Sequence, residues 1–286
     1  MICVFGRDMV ESKRDAVFDV VKFFAIVMVV YWHLISMAPS FGDVIRHKSA
    51  AINFVLGCNM PVFFVVSGFF ARRMLFSCDW LTLGRRMLTY FWPVLFFSVP
   101  KLLFEFPADR ESSIVSGWII VLLFYFWFFF CLALCEISTF VAHVLGRVGH
   151  IPLPIILLVG FVVAWALPWG MWYYVEMVVF YWFGVYVLPQ LYRRSSFLAI
   201  ALCCFIVYCA LSLMMGNIYE NGLCFYNSRM SLCRFEGRGF VLMLMRYMLE
   251  LSGTLGLIGV SKILVDRVNG FAIVGKLGRT TLGVYF

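Results

Sequence analysis

The stretch AVFDVVKFFAIVMVVYWHLISM, residues 16–37, is apolar except for a few polar side chains that include Asp19, Lys22 and His33. A helix needs about 20 mostly apolar residues to cross the hydrocarbon core of a bilayer, so this stretch can span it. It is too long for the apolar core of a cleavable signal sequence, contains Lys22 and His33, and has no clear small-residue cleavage site. We therefore expect a retained membrane-spanning helix here.

Apolar runs of the same kind recur along the chain, separated by short polar breaks. Beyond the first, we expect membrane-spanning helices over residues 51–71, 87–104, 114–135, 151–168, 171–190, 196–215 and 240–264. Another run begins near residue 277 and reaches the last residue, so we expect the last helix or helices to be incomplete. The sequence predicts one integral domain over residues 1–286, an all-α polytopic transmembrane helical bundle of about nine to ten spans.

The composition excludes the main alternatives to this class. Of the 286 residues, 64% are hydrophobic and 13% are charged, and the mean hydropathy is +0.96. Soluble domains carry about 25% charged residues, so a soluble globular protein is excluded. Aromatic residues make up 19% of the chain, which excludes disorder. The apolar runs are continuous rather than alternating, which argues against a transmembrane β-barrel.

The net charge of +8 comes from basic residues that stand beside apolar runs rather than in one patch. This arrangement is typical of cytoplasmic loops of membrane proteins, so we expect no nucleic-acid partner. With the N-terminus in the cytoplasm, the outside loops hold only a minority of the Lys and Arg residues, namely Arg46, Lys48, Arg110, Arg229, Arg234 and Arg238. The sequence therefore predicts a cytoplasmic N-terminus and an outward-facing loop over residues 216–238.

The chain has 10 cysteines, and none of them has His partners at the spacing of a zinc site, so we expect no metal site. Half of them lie within apolar runs, where we expect them to be small buried apolar residues: Cys131, Cys135, Cys203, Cys204 and Cys209. Cys224 and Cys233 share the polar loop. If that loop is periplasmic, these two either form a disulfide or stay reduced.

Charged side chains within spanning helices are costly, so each one is a candidate for function. Lys22 and His33 are eleven positions apart, which places them within about 20° of each other and about 16 Å apart along a helix axis. Asp19 lies on the same stripe. A coenzyme A thioester has matching chemistry, because Lys22 can hold its phosphates and His33 can act as general base on an acceptor hydroxyl. The alternative is that Lys22 extends to the interface and His33 makes one interhelical hydrogen bond.

Other polar residues within the apolar runs allow structural or functional readings. Arg246 and Glu250 are four residues apart, so we expect them to pair with each other. Glu176 either orients the histidine, binds sugar hydroxyls or stays protonated. For Ser67 and Gly68 we expect a close helix–helix contact rather than a nucleophile, because no base neighbours Ser67 in the sequence.

Several segments resemble, in the same order along the chain, the motifs of the acyltransferase-3 family of membrane acyltransferases. That family has a basic residue, ten intervening residues and a His in its first helix, as Lys22 and His33 are spaced here. The further resemblances are in the segments MPVFFVVSGFF at residues 60–70, Arg85-Arg86 before Trp92-Pro93, Phe126-Trp127-Phe128, Phe183-Gly184 and LGRTTLGVY at residues 277–285.

The resemblance implies transfer of an acyl group, commonly acetyl, from cytoplasmic acyl-CoA to a hydroxyl of a surface polysaccharide or lipid-linked glycan in the bacterial inner membrane. The donor is then a substrate, and we expect no tightly bound cofactor. The family's catalytic role falls on His33, as general base or transient acyl carrier. The phosphate-binding role falls on basic residues, Lys22, Arg72, Arg85 and Arg86, with Asp19 and Glu176 as supporting groups.

Two alternatives stay open. Charges within the membrane also line the pathways of transporters and flippases, although the sequence shows no convincing internal repeat. The other alternative is a truncated, inactive member of the family.

Overall fold

The computed structural model describes residues 16–36, 54–55, 57–105, 127–166, 171–214, 237–268 and 274. Within these ranges the chain consists of helices and short turns, with no strand. This confirms the all-α class that the apolar runs predict.

The helices follow one another in the order of the predicted spans. They are α1 (Ala16–Ser36), α2 (Asn59–Ser77), α3 (Trp80–Glu105), α4 (Trp127–Val148), α5 (Leu153–Ala166), α6 (Met171–Trp182), α7 (Leu188–Tyr192), α8 (Phe197–Met214) and α9 (Gly237–Arg267). A π-helical segment, Phe183–Val187, joins α6 to α7 without a break.

Five stretches of these helices are long and apolar enough to cross a membrane: Ala16–Ile35, Asn59–Ser77, Trp127–Val148, Tyr174–Tyr192 and Leu244–Arg267. The chain is therefore a helical membrane protein. The total number of spans and the cytoplasmic position of the N-terminus stay predictions, and the run predicted from residue 277 lies outside the described residues.

The end predicted for the fourth span is wrong, and its predicted start lies outside the described residues. A span over residues 114–135 ends just before Glu136, whereas α4 continues from Trp127 to Val148. The prediction left Glu136 and His143 outside the spans. Both side chains instead bond to neighbouring groups and are buried, so their polarity does not end the helix.

The described helices belong to two compact units. Unit 1, residues 1–59 and 196–281, contains α1, α8 and α9. Its longest helix, α9, packs along both α1 and α8. A Cβ atom added at Gly259 would lie 2.5 Å from the Cβ of Ala201, and one at Gly256 would lie 2.8 Å from the Cβ of Phe205. Glycines therefore allow the close packing of α9 on α8.

Unit 2, residues 60–195 and 282–286, contains the helices α2 to α7. Here α2 and the π-helical segment approach closely at two glycines. A Cβ added at Gly68 would overlap the backbone carbonyl of Tyr181, and one at Gly184 would overlap the carbonyl of Val65. The close helix contact expected at Gly68 is confirmed.

The turn between α2 and α3 is closed by local hydrogen bonds. Cys78 has a positive φ of 53°, and the amides of Cys78 and Asp79 bond to the carbonyls of Leu75 and Met74, which ends α2. Asp79 then caps α3, because its carboxylate accepts bonds from the amide and hydroxyl of Thr82. The hydrogen bond from the Thr82 hydroxyl is the main cause that lowers the pKa of Asp79.

The cysteines do not all follow the prediction that they are buried. Cys131 and Cys135 are buried, but Cys203 is exposed and Cys204 and Cys209 are half-buried. The prediction is wrong for Cys203, because apolar side chains in a membrane protein can face the lipid as well as the protein interior. Cys224 and Cys233 lie outside the described residues.

Candidate functional site

The first candidate site lies on α1. This helix is uninterrupted from Ala16 to Ser36, so the shared face of Lys22 and His33 follows from regular helix geometry. The surroundings of the two side chains differ, because Lys22 is 3% exposed and His33 is exposed. The Nζ of Lys22 lies 3.9 Å from Oδ1 of Asp19, which is also buried. Asp19 thus partly neutralises the cation that we expect to bind phosphates.

The second candidate site is a group of buried polar residues in unit 2, which we call the Arg86 cluster: Ser67, Arg86, Tyr90, Glu136 and Tyr181. The Nε of Arg86 donates to Oε1 of Glu136 in a close ion pair. Its Nη2 donates to the hydroxyl of Tyr90 at 3.0 Å and to that of Ser67 at 3.3 Å. One guanidinium group therefore connects three helices, α2, α3 and α4.

The Arg86 cluster lies deep inside unit 2. The side chain of Glu136 is fully buried, whereas 18% of the Arg86 side chain remains exposed. Oε2 of Glu136 and the hydroxyl of Tyr181 are both buried, and neither forms a hydrogen bond within the described residues. The hydroxyl of Tyr90 also interacts with the carboxylate of Glu136, but Oε2 has no hydrogen-bond partner within the described residues. The cluster thus combines a satisfied ion pair with two unsatisfied polar atoms.

Helix α4 continues the polar row beyond Glu136 on the side that meets α6. Thr139 accepts a 3.0 Å hydrogen bond from the indole nitrogen of Trp182. The Nδ1 of His143 lies 2.8 Å from the carbonyl of Thr139, and its ring stacks on Tyr186 with the ring planes 12° apart. Since the carbonyl can only accept, His143 donates from Nδ1 and keeps Nε2 as its acceptor nitrogen when neutral.

Several arginines lie at one end of unit 2, near the turns that follow α2, α4 and α7. Arg147, near the end of α4, donates to the carbonyls of Phe76 and Ser77 at the end of α2. Arg72 lies over the ring of Phe76 at 5.3 Å and interacts electrostatically with Arg193. We call this end the basic end, and its members are Arg72, Arg73, Arg85, Arg147, Arg193 and Arg194.

The structure distributes the predicted site residues between the two units. Asp19, Lys22 and His33 are on α1 of unit 1. Of the predicted residues in unit 2, Arg72 and Arg85 lie at the basic end, Arg86 lies in the Arg86 cluster, and Glu176 is half-buried on α6. Their roles in binding and catalysis stay predictions.

Of two ion pairs between buried side chains, one was predicted from the sequence and the other was missed. The pairing of Arg246 with Glu250 is confirmed, with Nε 2.7 Å from Oε1, because both residues lie on one helix. The partner of Arg86 was missed, since Glu136 is on another helix. The available signal was the spacing of Glu136, Thr139 and His143, which places three polar side chains on one helical face.

The described ranges contain no group of three or more His, Cys, Asp or Glu side chains that could hold a metal ion. The chemistry that the described residues offer is acid–base chemistry and the binding of anions and polar groups.

The comparisons with known proteins gave one match. The model of a family described as "Acyltransferase domain" matches residues 15–286. No curated protein and no solved structure matches the chain.

Proposed function

The chain belongs to this acyltransferase family, and from that membership we propose that it transfers an acyl group, such as acetyl, from acyl-CoA to a hydroxyl of a surface polysaccharide or lipid-linked glycan. The observation that carries the proposal is the extent of the match, which covers almost the whole chain. The apolar helices agree with a reaction at a membrane. We propose the bacterial inner membrane as its location.

For the donor, the proposal assigns the phosphates of acyl-CoA to the cations Lys22, Arg72 and Arg85. Phosphates bind to Arg in bidentate geometry and to Lys as a point charge. Support comes from the basic end, where several arginines stand together on one side of unit 2. Arg86 differs from these residues because Glu136 already compensates its charge.

For the chemical step, the proposal assigns the role of general base to His33. The imidazole removes the proton of the acceptor hydroxyl, the hydroxyl oxygen attacks the thioester carbonyl, and the C–S bond breaks. The thiolate of CoA leaves and takes up a proton. Imidazole is the side chain most often used as a general base in enzymes. Asp19 positions Lys22, and Glu176 is proposed to bind acceptor hydroxyls.

The experiment that tests this function uses the purified protein in proteoliposomes with radiolabelled acetyl-CoA and glycan acceptors. We expect label in the acceptor together with release of free CoA. Replacement of His33 by Ala removes the general base and should lower kcat by about 100-fold or more. His150→Ala is the matched control, because this His lies in the exposed turn after α4.

Two results would contradict the proposal. Unchanged transfer by the His33→Ala variant would exclude His33 from the mechanism. Uptake of a glycan precursor without any consumption of acyl-CoA would show a transporter in place of an acyltransferase.

A further inference from the structure

The unsatisfied atoms of the Arg86 cluster need a hydrogen-bond partner that is not part of the described chain. A buried polar atom without a hydrogen-bond partner is destabilising. Two such atoms, Oε2 of Glu136 and the hydroxyl of Tyr181, occur in one cluster. Polar groups within membrane-spanning helices commonly line substrate pathways. A ligand that bonds to these atoms would remove this destabilisation.

The charge of the cluster restricts the class of ligand. Arg86 and Glu136 form a pair without net charge, and the neighbouring Ser67 and the two tyrosines add none. An anion such as a phosphate would meet the carboxylate of Glu136 next to the guanidinium, and would be repelled by it. A neutral polar group avoids this repulsion.

The hydrogen-bonding pattern of the Arg86 cluster further restricts the class of ligand. In the part of the chain that the structure describes, Nη1 of Arg86 makes no hydrogen bond, so its two N–H groups are available as donors. Oε2 of Glu136 is available as an acceptor. The side chain of Arg86 is 18% exposed, whereas that of Glu136 is fully buried. A donor and an acceptor from one ion pair match a group that has both an N–H and a carbonyl.

We propose that Arg86 and Glu136 bind a secondary amide, whose carbonyl accepts from Nη1 of Arg86 and whose N–H donates to Oε2 of Glu136. This inference rests on the proposed function and extends it. The pantetheine arm of acyl-CoA has two secondary amides, and an N-acetylated sugar has one. We favour the pantetheine arm as the source, because Arg85, proposed to bind phosphate, is the residue next to Arg86 on α3. Both lie on α3, whose N-terminal turn is at the basic end.

The first test compares two acyl donors, acetyl-CoA and S-acetylpantetheine, which share the amides but differ in the phosphates beyond the pantetheine arm. In the Glu136→Gln variant, the side-chain amide oxygen faces Arg86 and the NH₂ group takes the position of Oε2. The NH₂ group is a donor, so it cannot accept the hydrogen bond from the ligand N–H. A hydrogen bond to a charged group is worth about 1.5–3 kcal/mol. We expect KM to rise about tenfold or more for both donors, with kcat within about threefold.

Two control variants separate this effect from others. Arg85→Gln should raise KM for acetyl-CoA and leave KM for S-acetylpantetheine unchanged, since only the former carries the phosphates. Glu250→Gln makes the same chemical change in the buried Arg246–Glu250 pair of unit 1, and should leave both KM values unchanged.

A second measurement needs no folded variant. A donor whose pantetheine amides are replaced by esters lacks the N–H groups, so it should bind the wild-type protein about tenfold more weakly. Binding is measured by the shift in melting temperature of the detergent-solubilised protein. This readout applies even if the wild-type protein transfers no acyl group, which separates failure of the inference from failure of the proposed function.

The possible results are distinct. Equal KM values for wild type and Glu136→Gln, or equal binding of amide and ester donors, would overturn the proposal. A loss confined to acetyl-CoA would also overturn it, because that result identifies a phosphate site. A rise in KM for an N-acetylated acceptor rather than for the donors would support the amide site and assign its ligand to the acceptor.

Discussion

At the scale of single residues, the cations within the helices differ in how their charge is compensated. Lys22 lies 3.9 Å from Asp19 on its own helix, whereas Arg86 reaches a carboxylate on another helix. Arg72 has an aromatic ring and a second cation as neighbours. A cation keeps its attraction for phosphate only to the extent that nearby carboxylates leave it uncompensated. We therefore expect the arginines of the basic end to bind phosphate better than Lys22 or Arg86.

The paired state of Lys22 allows its structural and functional roles to be separated. Lys22→Met removes the cation that lies 3.9 Å from the buried Asp19, so we expect this variant to be less stable than the wild type. The double variant Asp19→Asn/Lys22→Met removes both charges, so we expect most of this stability to return. We expect KM for acetyl-CoA to stay raised by about tenfold in the double variant.

Thermal melting and steady-state kinetics of the three proteins check this prediction. Recovery of both stability and KM in the double variant would show that Lys22 serves only to balance Asp19.

At the scale of the elements, the contact between α2 and the π-helical segment depends on two glycines. The Cβ of any larger residue at Gly68 would overlap the carbonyl of Tyr181 at the end of α6, and one at Gly184 would overlap the carbonyl of Val65 on α2. A backbone atom cannot move aside as the end of a flexible side chain can. The neighbouring residues Ser67 and Tyr181 belong to the Arg86 cluster, so the same contact holds that cluster together.

Replacement of Gly68 by Ala should therefore destabilise the protein by about 1–3 kcal/mol, the usual cost of overpacking. Gly84→Ala is the matched control on α3, because a Cβ there would have no atom within 4 Å. The control should be neutral or more stable by about 0.5–1 kcal/mol, since Ala favours helix over Gly. The midpoint of thermal unfolding in detergent measures both changes. Equal midpoints for the two variants would disprove the close contact.

At the scale of the whole molecule, the distribution of basic residues predicts its orientation in the membrane. The turn at Cys78 and Asp79 lies at the basic end, beside the arginines that the positive-inside rule assigns to the cytoplasm. The loop over residues 216–238 is predicted to face the opposite side.

Cysteine labelling tests this orientation. In a variant that keeps Cys78 alone, a membrane-impermeant thiol reagent should label the protein only after the cells are permeabilised. A second variant, without native cysteines and with Ser228→Cys, should be labelled in intact cells. Labelling of Cys78 in intact cells would reverse the predicted orientation.

Much of the fold could be predicted from the sequence, and the error at the end of α4 has a physical explanation. The helical membrane class follows from composition and from the length of the apolar runs, which are properties of the chain alone. The predicted fourth span stopped at residue 135, before the polar residues Glu136 and His143, both of which are buried in α4. A polar residue remains in a helix when its partners are supplied by other helices, and the sequence does not show those partners.

The candidate site likewise contains some features that the sequence predicts and others that it does not. The sequence by itself determined the common face of Lys22 and His33 and the pairing of Arg246 with Glu250, because helix geometry places residues at fixed angles and distances along one element. Only the tertiary structure decided that Arg86 pairs with Glu136 and that Ser67, Tyr90 and Tyr181 surround them. These residues come from separate helices, and their meeting depends on how backbones pack, down to the glycines that let α2 approach the π-helical segment.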